Sequence, residues 1–269
     1  CPSMGAFVVD GTNIPSEGLP LLATQDTPTG FGNATGGGQD SAGGSELNQL
    51  YGEIVGGTLN FAITGNLEGN FNKMWIFLDG VDGGESTLLN DNADGGFGEI
   101  NNLAGLNFSG GTPDHGFRFE IGSGFYGINA FDLIDNTAGV VTSGGGPGDL
   151  PLAGVVGGFG TTVGWDNSNI LGVDGASAAG ANTATTGWEF SVDMATLFGE
   201  VPSSVGITAF ISSGDGTFIS NQVLPGIGGG GNLGAASGNT VGMTTVVPEP
   251  SSALMALAAS AGFLLRRRR

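Results

Sequence analysis

The chain has 269 residues and a formal net charge of −19, with 25 acidic side chains against 6 basic ones. Four of the basic residues are the last four of the chain. Without Pro248 to Arg269, a stretch that also contains Glu249, 24 acidic and 2 basic residues remain, and the net charge is −22. Such a surface repels nucleic acid and anionic lipid and attracts cations. Nucleic acid is therefore excluded as an expected partner.

Glycine accounts for 55 of the 269 residues, far above a usual share of about 7%. The glycines have no three-residue period, which excludes collagen, and they separate short apolar runs, where glycine supplies turns with positive φ. The 17 phenylalanines are enough for an apolar core. The single cysteine, Cys1, cannot form an internal disulfide. We expect Cys1 to follow a trimmed signal peptide or to begin a fragment, and a lipidated Cys1 is the alternative.

The first half of the chain contains two clear strand patterns. The run from Leu19 to Gln25 is interrupted by Pro20 and predicts an edge strand, and residues 27–45 read as a loop. Apolar and polar residues alternate with period two from Thr58 to Thr64, which predicts a strand. The run from Met74 to Leu78 is apolar on both faces, as expected of a central, buried strand.

The second half repeats the pattern in Phe117 to Ile121, Trp188 to Val192 and Ile207 to Ile211. The one predicted helical turn is Asp193 to Phe198, with Asp193 as its N-cap. Short strands, turn chemistry and almost no helical periodicity predict an all-β fold, a single antiparallel, jelly-roll-like β-sandwich with glycine-rich loops over residues 1–225. Residues 226–247 read as a flexible Gly/Ser/Thr spacer.

Residues 248–269 consist of Pro248-Glu249-Pro250, an apolar segment at 251–265 and the basic cluster Arg266, Arg267, Arg268 and Arg269. The apolar segment predicts a short C-terminal hydrophobic helix. It is shorter than the roughly 18–20 residues of a comfortable membrane span, so we expect a temporary inner-membrane anchor with the arginines in the cytoplasm. An ordinary anchor helix is the alternative.

This order of elements resembles the PEP-CTERM sorting signal of exported bacterial proteins. The resemblance implies processing by an exosortase near the Pro-Glu-Pro, and then a location at the cell surface or in the extracellular matrix.

Short polar motifs are spread over residues 10–234. They are Asp10-Gly11, Thr24-Gln25, Phe31-Gly32, Gly44 to Asn48, Thr64 to Glu68, Asn70 to Lys73, Asp166 to Asn169, Thr186 to Glu189, Ser220 to Gly226 and Asn232 to Gly234. The set resembles uncharacterised PEP-CTERM proteins with a DOMON-like or family 9 carbohydrate-module-like sandwich. The DOMON resemblance implies a haem- or sugar-binding module, with Met74 and His115 as nominal axial ligands.

Calcium is the one cofactor that the sequence suggests. A dense acidic stretch follows the predicted central strand, and calcium takes about six to eight oxygen ligands from flexible loops. The same Asp-Gly and Asn-Asp pairs also make turns without any metal, and both interpretations stay open. The candidate ligands are Asp79, Asp82, Glu85, Asp91 and Asp94.

Carbohydrate binding would use an exposed aromatic platform beside polar side chains. The candidates are Trp165 with Asp166 and Asn167, and core packing of Trp165 is the alternative. Tyr51 or Tyr126 could also serve as a platform. Trp75 and Trp188 lie inside predicted strands and are expected in the core.

Catalytic motifs are not found. His115 is the only histidine and lies in a turn-like segment, and no Gly-x-Ser-x-Gly elbow or zinc ligand set is present. We therefore predict a non-enzymatic, exported protein with a structural or adhesive role that contacts extracellular polysaccharide. The alternative is a polysaccharide-acting enzyme of glycosidase type, which would use paired carboxylates.

Overall fold

The computed structural model describes residues 7–31, 39, 44–173, 180–227 and 230–248. These ranges hold strands in antiparallel sheets and one short α-helix, which confirms the all-β prediction. The strands are β1 Leu21–Thr24, β2 Glu46–Val55, β3 Thr58–Asn66, β4 Asn70–Asp79, β5 Asn107–Ser109, β6 His115–Gly122, β7 Phe125–Asp132, β8 Thr137–Gly144, β9 Leu152–Val156, β10 Thr161–Trp165, β11 Gly187–Asp193, β12 Val205–Ser212, β13 Ile219–Leu224, β14 Thr240–Gly242 and β15 Thr244–Val246.

Two sheets form the sandwich. The first has the strand order β1-β2-β3-β11-β10-β9, and the second has the order β13-β12-β4-β6-β7-β8, with β15 paired to β12. The short strands β5 and β14 form a separate parallel pair. As predicted, β1 lies at an edge and the strand that contains Met74 to Leu78 is central, between β12 and β6.

The main core lies between the two sheets. Phe190 of the first sheet packs against Phe117 and Phe119 of the second, with ring centroids 5.3 Å apart in both pairs. A second apolar cluster covers the outer face of the second sheet, where Trp75 and Phe77 contact Phe131. Because both of its faces meet an apolar cluster, β4 needs apolar residues at consecutive positions.

The predicted helical turn is confirmed as α1, Met194–Phe198, and Asp193 Oδ1 accepts a hydrogen bond from Thr196 N at 2.8 Å. Short 3-10 helices lie at Ile14–Ser16, Glu99–Leu103, Pro147–Asp149 and Ala181–Thr183. None of the helices in the described ranges is long and apolar enough to cross a membrane. The predicted helix at 251–265, like Glu249, Pro250 and the four arginines, lies outside the described residues.

The flexible-spacer prediction is wrong for the later part of residues 226–247. There β14 pairs with β5 and β15 pairs with β12, and Val241 and Val246 are buried. The segment was predicted to be flexible because of its many glycines. Burial of its valines supplies the free energy that orders it. Pro248 follows at the surface, bridged to Ile54 of β2.

Candidate functional site

The outer face of the second sheet carries a groove of about 820 Å³ beside the second apolar cluster. It lies over β4, β6, β7 and β8 and is bordered by the loop that precedes the 3-10 helix Glu99–Leu103. We call it the phenylalanine groove. Its floor is formed by Lys73, Glu99, Arg118 and Glu120, and its rim by Phe71, Phe97 and Phe125.

The floor is a ring of alternating charges. Arg118 Nη1 is 2.5 Å from Glu99 Oε2, and Arg118 Nη2 is 3.1 Å from Glu120 Oε1. Lys73 Nζ closes the ring, at 3.7 Å from Glu99 Oε1 and in a hydrogen bond to Glu120 Oε2. Each carboxylate therefore contacts both cations. The register explains part of this arrangement, since Lys73 lies directly opposite Glu120 across β4 and β6.

Two further side chains hold the Arg118 guanidinium. Asn129 Oδ1 accepts a hydrogen bond from Nη2 at 3.2 Å, and Asp94 Oδ2 lies 3.5 Å from Nη1. Burial opposes ionisation of Asp94, but the backbone amide of Ile100 and the positive charge of Arg118 outweigh it, so the Asp94 pKa is lowered. Asp94 thus adds a third negative charge next to two positive ones.

Glycines make room for the rim and the floor. A β-bulge at Phe71, where φ is +69°, turns its ring over Gly122, and a Cβ at Gly122 would overlap that ring. A Cβ at Gly127 would lie 2.9 Å from the Phe125 ring, and one at Gly96 would overlap the Arg118 guanidinium. Part of the high glycine content therefore serves close packing in this groove.

The rim rings are unusually accessible. Phe97 is 98% exposed, Phe71 39% and Phe125 38%. Single exposed apolar side chains are common, but three around one groove form a patch of the kind that marks binding sites. Aromatic faces above hydrogen-bonding carboxylates are suited to a sugar ring, which has both apolar faces and hydroxyls.

The predicted carbohydrate site at Trp165 is corrected by the structure. Trp165 is buried in the main core and stacks on Trp188, with centroids 5.8 Å apart. Asn167 is also buried, and it holds the backbone of Leu67 through two 2.8 Å hydrogen bonds. Asp166 is buried beside it, and so are the other two proposed platforms, Tyr51 and Tyr126. Core packing was the correct interpretation for Trp165, Trp75 and Trp188.

The five candidate calcium ligands are not brought together. Glu85 accepts hydrogen bonds from Leu89 N and Asn92 Nδ2 at 2.8 and 2.9 Å, and Asp94 lies beside Arg118 of the groove floor. Asp82 and Asp91 are exposed, and Asp79 ends β4. Within the described ranges, no group of three or more acidic, His or Cys side chains could hold a metal ion.

The single histidine is placed differently from its turn-like prediction. His115 begins β6 and is buried between two carboxylates, with Nδ1 2.9 Å from Asp114 Oδ1 and Nε2 3.4 Å from Asp132 Oδ2. In the ladder it faces Leu78, whereas Met74 faces Phe119. Met74 is fully buried in the main core and His115 is held between carboxylates, so the described residues do not present the two as free ligands of one haem.

Several of the short polar motifs place buried amide side chains against backbone atoms of neighbouring loops. Asn169 donates to Gly65 O and Thr186 O at 3.0 and 2.7 Å and accepts from Thr185 N and Thr186 N at 2.9 and 3.0 Å. Similar side-chain bonds to backbone atoms hold the neighbouring loops. We call these side chains the amide network, and they are Gln25, Asn66, Asn167, Asn169, Asn221 and Gln222.

A buried carboxyl pair lies on the outer face of the first sheet. Glu189 Oε2 accepts hydrogen bonds from Asp10 N and Gly11 N at 2.8 and 2.5 Å, and Glu17 is the neighbouring carboxyl. Burial, reinforced by Glu17, raises the pKa of Glu189 to about 9. The segment from Phe7 to Leu19 covers the pair, and its backbone amides at Val8, Asp10 and Gly11 bond to the two carboxyls.

One feature of the sequence could have indicated the groove floor. Lys73 and Arg118 are the only basic residues before the C-terminal arginines, and both lie in strand-like segments. Two such cations are expected to be paired with acids when they are buried. Comparison of the chain with protein-family models, with curated proteins and with solved structures finds no match.

Proposed function

We propose that this chain is a non-enzymatic adhesive protein that binds a carbohydrate in the phenylalanine groove. The observation that carries the proposal is the set of three exposed phenylalanine rings above a floor of charged hydrogen-bonding groups. The rings would pack against the apolar faces of the sugar, and Glu99 and Glu120 would accept hydrogen bonds from its hydroxyls. The ion pairs fix the positions of these two carboxylates in advance, which lowers the entropic cost of binding.

The floor favours binding over hydrolysis. A glycosidase needs one carboxylic acid that can donate a proton and a second carboxylate in a separate role. Here Glu99 and Glu120 both contact Lys73 and Arg118, so both are held in ion pairs and neither is set apart as the proton donor. The polysaccharide-acting enzyme remains the competing proposal because the pair lies in an open groove.

We further propose that the protein is exported and sorted by its C-terminal signal through an exosortase, with 251–265 in the inner membrane only transiently. The order of Pro248-Glu249-Pro250, apolar segment and arginines supports this proposal. So does the position of Pro248, which is exposed directly after β15 and could be reached without unfolding the sandwich. Calcium remains a proposal without a geometric cluster behind it.

The test is a glycan-array screen of the full chain followed by titration calorimetry on each hit. Phe97→Ala and Phe125→Ala should each weaken binding roughly 3- to 10-fold, the range expected for one lost aromatic contact. Phe159→Ala is the matched control for Phe125→Ala, since Phe159 is 37% exposed and Phe125 38%, but Phe159 does not line the groove.

Equal losses in the Phe125 and Phe159 variants would contradict the groove assignment. Release of reducing ends from a bound glycan, abolished by Glu99→Gln, would favour the enzyme over the adhesive protein.

A further inference from the structure

We propose that the groove selects a glycan with free amino groups, namely a partly de-N-acetylated hexosamine polymer. The inference rests on the proposed carbohydrate-binding function and adds the chemical class of the ligand. Two sets of charges support it: those on the surface that a ligand approaches, and those on the groove floor.

The approach is negatively charged. The described residues contain three side chains that can carry positive charge, Lys73, Arg118 and His115, and all three are buried. The exposed ionised side chains in these ranges are therefore all acids. A ligand rich in carboxylates, such as a uronate polymer, would be repelled on approach, whereas a cationic polymer would be attracted.

At short range, the groove floor also favours a cationic ligand over an anionic one. The Lys73 and Arg118 side chains are each 3% exposed, whereas Glu99 is 10% and Glu120 12% exposed. A ligand thus meets carboxylate oxygens before it meets the cations. With Asp94 beside Arg118, three acids surround two cations, and the floor keeps one uncompensated negative charge. A ligand ammonium would complete the charge balance through charge-assisted hydrogen bonds.

The size of the groove points to a sugar rather than to a small cation. Its volume of about 820 Å³ is larger than a metal ion or a single ammonium needs, and it falls in the size range of organic ligand sites.

The test compares three hexasaccharides by calorimetry with the full chain: glucosamine, N-acetylglucosamine and galacturonic acid. We expect the glucosamine oligomer to bind at least about 10-fold more tightly than its acetylated form, and the uronate not to bind. The preference should shrink when ionic strength rises from about 0.02 to about 0.2 M, because salt shortens the Debye length and screens the attraction between the acidic surface and the amino groups.

Two variants, each with its own control, separate the groove from general charge attraction. The double variant Phe97→Ala/Phe125→Ala should lose glucosamine binding, whereas Phe159→Ala should keep it. Glu120→Gln should reduce the preference for the amino sugar, whereas Asp82→Asn, which removes the same charge from an exposed loop outside the groove, should leave it unchanged.

The outcomes distinguish the two proposals. Equal affinity for the glucosamine and N-acetylglucosamine oligomers would overturn the amino-sugar inference and leave the carbohydrate site standing. Glucosamine binding that survives loss of both phenylalanines would show attraction to the acidic surface alone, and it would also overturn the inference. Binding of neutral glycans on the array with no binding of either hexosamine would overturn the amino-sugar inference and leave the carbohydrate site standing.

Discussion

The amide network and the charged floor of the groove are both buried and polar, yet they are built in opposite ways. In the amide network, neutral side chains such as Asn169 bond mainly to backbone atoms of adjoining loops. In the groove floor, ionised side chains such as Arg118 bond to other ionised side chains and border open space. The first arrangement uses its polar atoms to hold loops, and the second leaves carboxylates facing a ligand.

This difference shows that a family-like motif does not by itself mark a binding site. The motif residues that suggested a carbohydrate module, including Asn167 and Asn169, are occupied in holding the backbone. Of the residues that form the groove floor and rim, Phe71 and Lys73 belong to the motif Asn70 to Lys73, whereas the others, such as Phe97, lie outside the motifs. The following predictions test this division, from the largest expected effect to the smallest.

Replacing Arg118 by methionine should break the charged floor. It leaves Glu99, Glu120 and Asp94 with fewer cations, and removing one partner of a buried ion network typically costs about 3–5 kcal/mol in the free energy of unfolding. Urea denaturation at pH 7 measures the loss. The double variant Arg118→Met/Glu99→Gln should recover part of it because one unpaired carboxylate is removed. A loss below about 1 kcal/mol would mean that water already screens the floor.

Replacing Asn169 by alanine should break the amide network. The change strands backbone groups of Gly65, Thr185 and Thr186, and each buried group left without a partner costs about 1–3 kcal/mol. We expect the unfolding free energy to fall by about 3 kcal/mol and glycan affinity at the intact groove to stay the same. Asn102→Ala, which removes one exposed hydrogen bond, is the control. A change in ligand affinity without a change in stability would reverse the roles assigned to the two regions.

Glu189→Gln tests what happens to a buried carboxyl that has no cation. The pKa of Glu189 in the folded chain is about 9, raised from 4.5 by burial, so the unfolded chain loses this proton at lower pH than the folded one. The unfolding free energy of the native chain should therefore fall as pH rises from about 4.5 to about 9.

The glutamine variant keeps an acceptor for Gly11 N and has no proton to lose. It should be more stable than the native chain at pH 7, on the order of 3 kcal/mol, with no difference near pH 4. Thermal denaturation across this pH range measures the effect. Parallel pH profiles for the two chains would contradict a protonated Glu189.

Phe97→Ala should have the smallest effect on the fold and a selective effect on binding. The ring is 98% exposed, so its removal should change the unfolding free energy by less than about 0.5 kcal/mol. Glycan affinity should still fall as described for the groove. Thermal denaturation and calorimetry on the same sample separate the two quantities, and a large loss of stability would place Phe97 in the core rather than at a binding rim.

The strands that could be predicted were those with local patterns. Period-two alternation identified β3, β6 and β11, a doubly apolar run identified β4, and Asp193 identified the start of α1. Strand β2 could not be predicted because Asn48 and Gln49 are buried polar residues that interrupt its alternation. Strands β14 and β15 were missed because their valines lie among glycines and threonines, and only distant partners order them.

The sequence by itself determined the all-β class, the central position of β4 and the strongly acidic charge, because periodicity, apolar content and charge are properties of the chain alone. Only the tertiary structure decided that Trp165 is core and that Lys73, Glu99, Arg118 and Glu120 meet beneath three exposed phenylalanines. These seven residues come from three strands, a 3-10 helix and the loop before that helix. Their meeting depends on strand register and on glycines that permit close approach, and neither can be read from residues that are far apart in the chain.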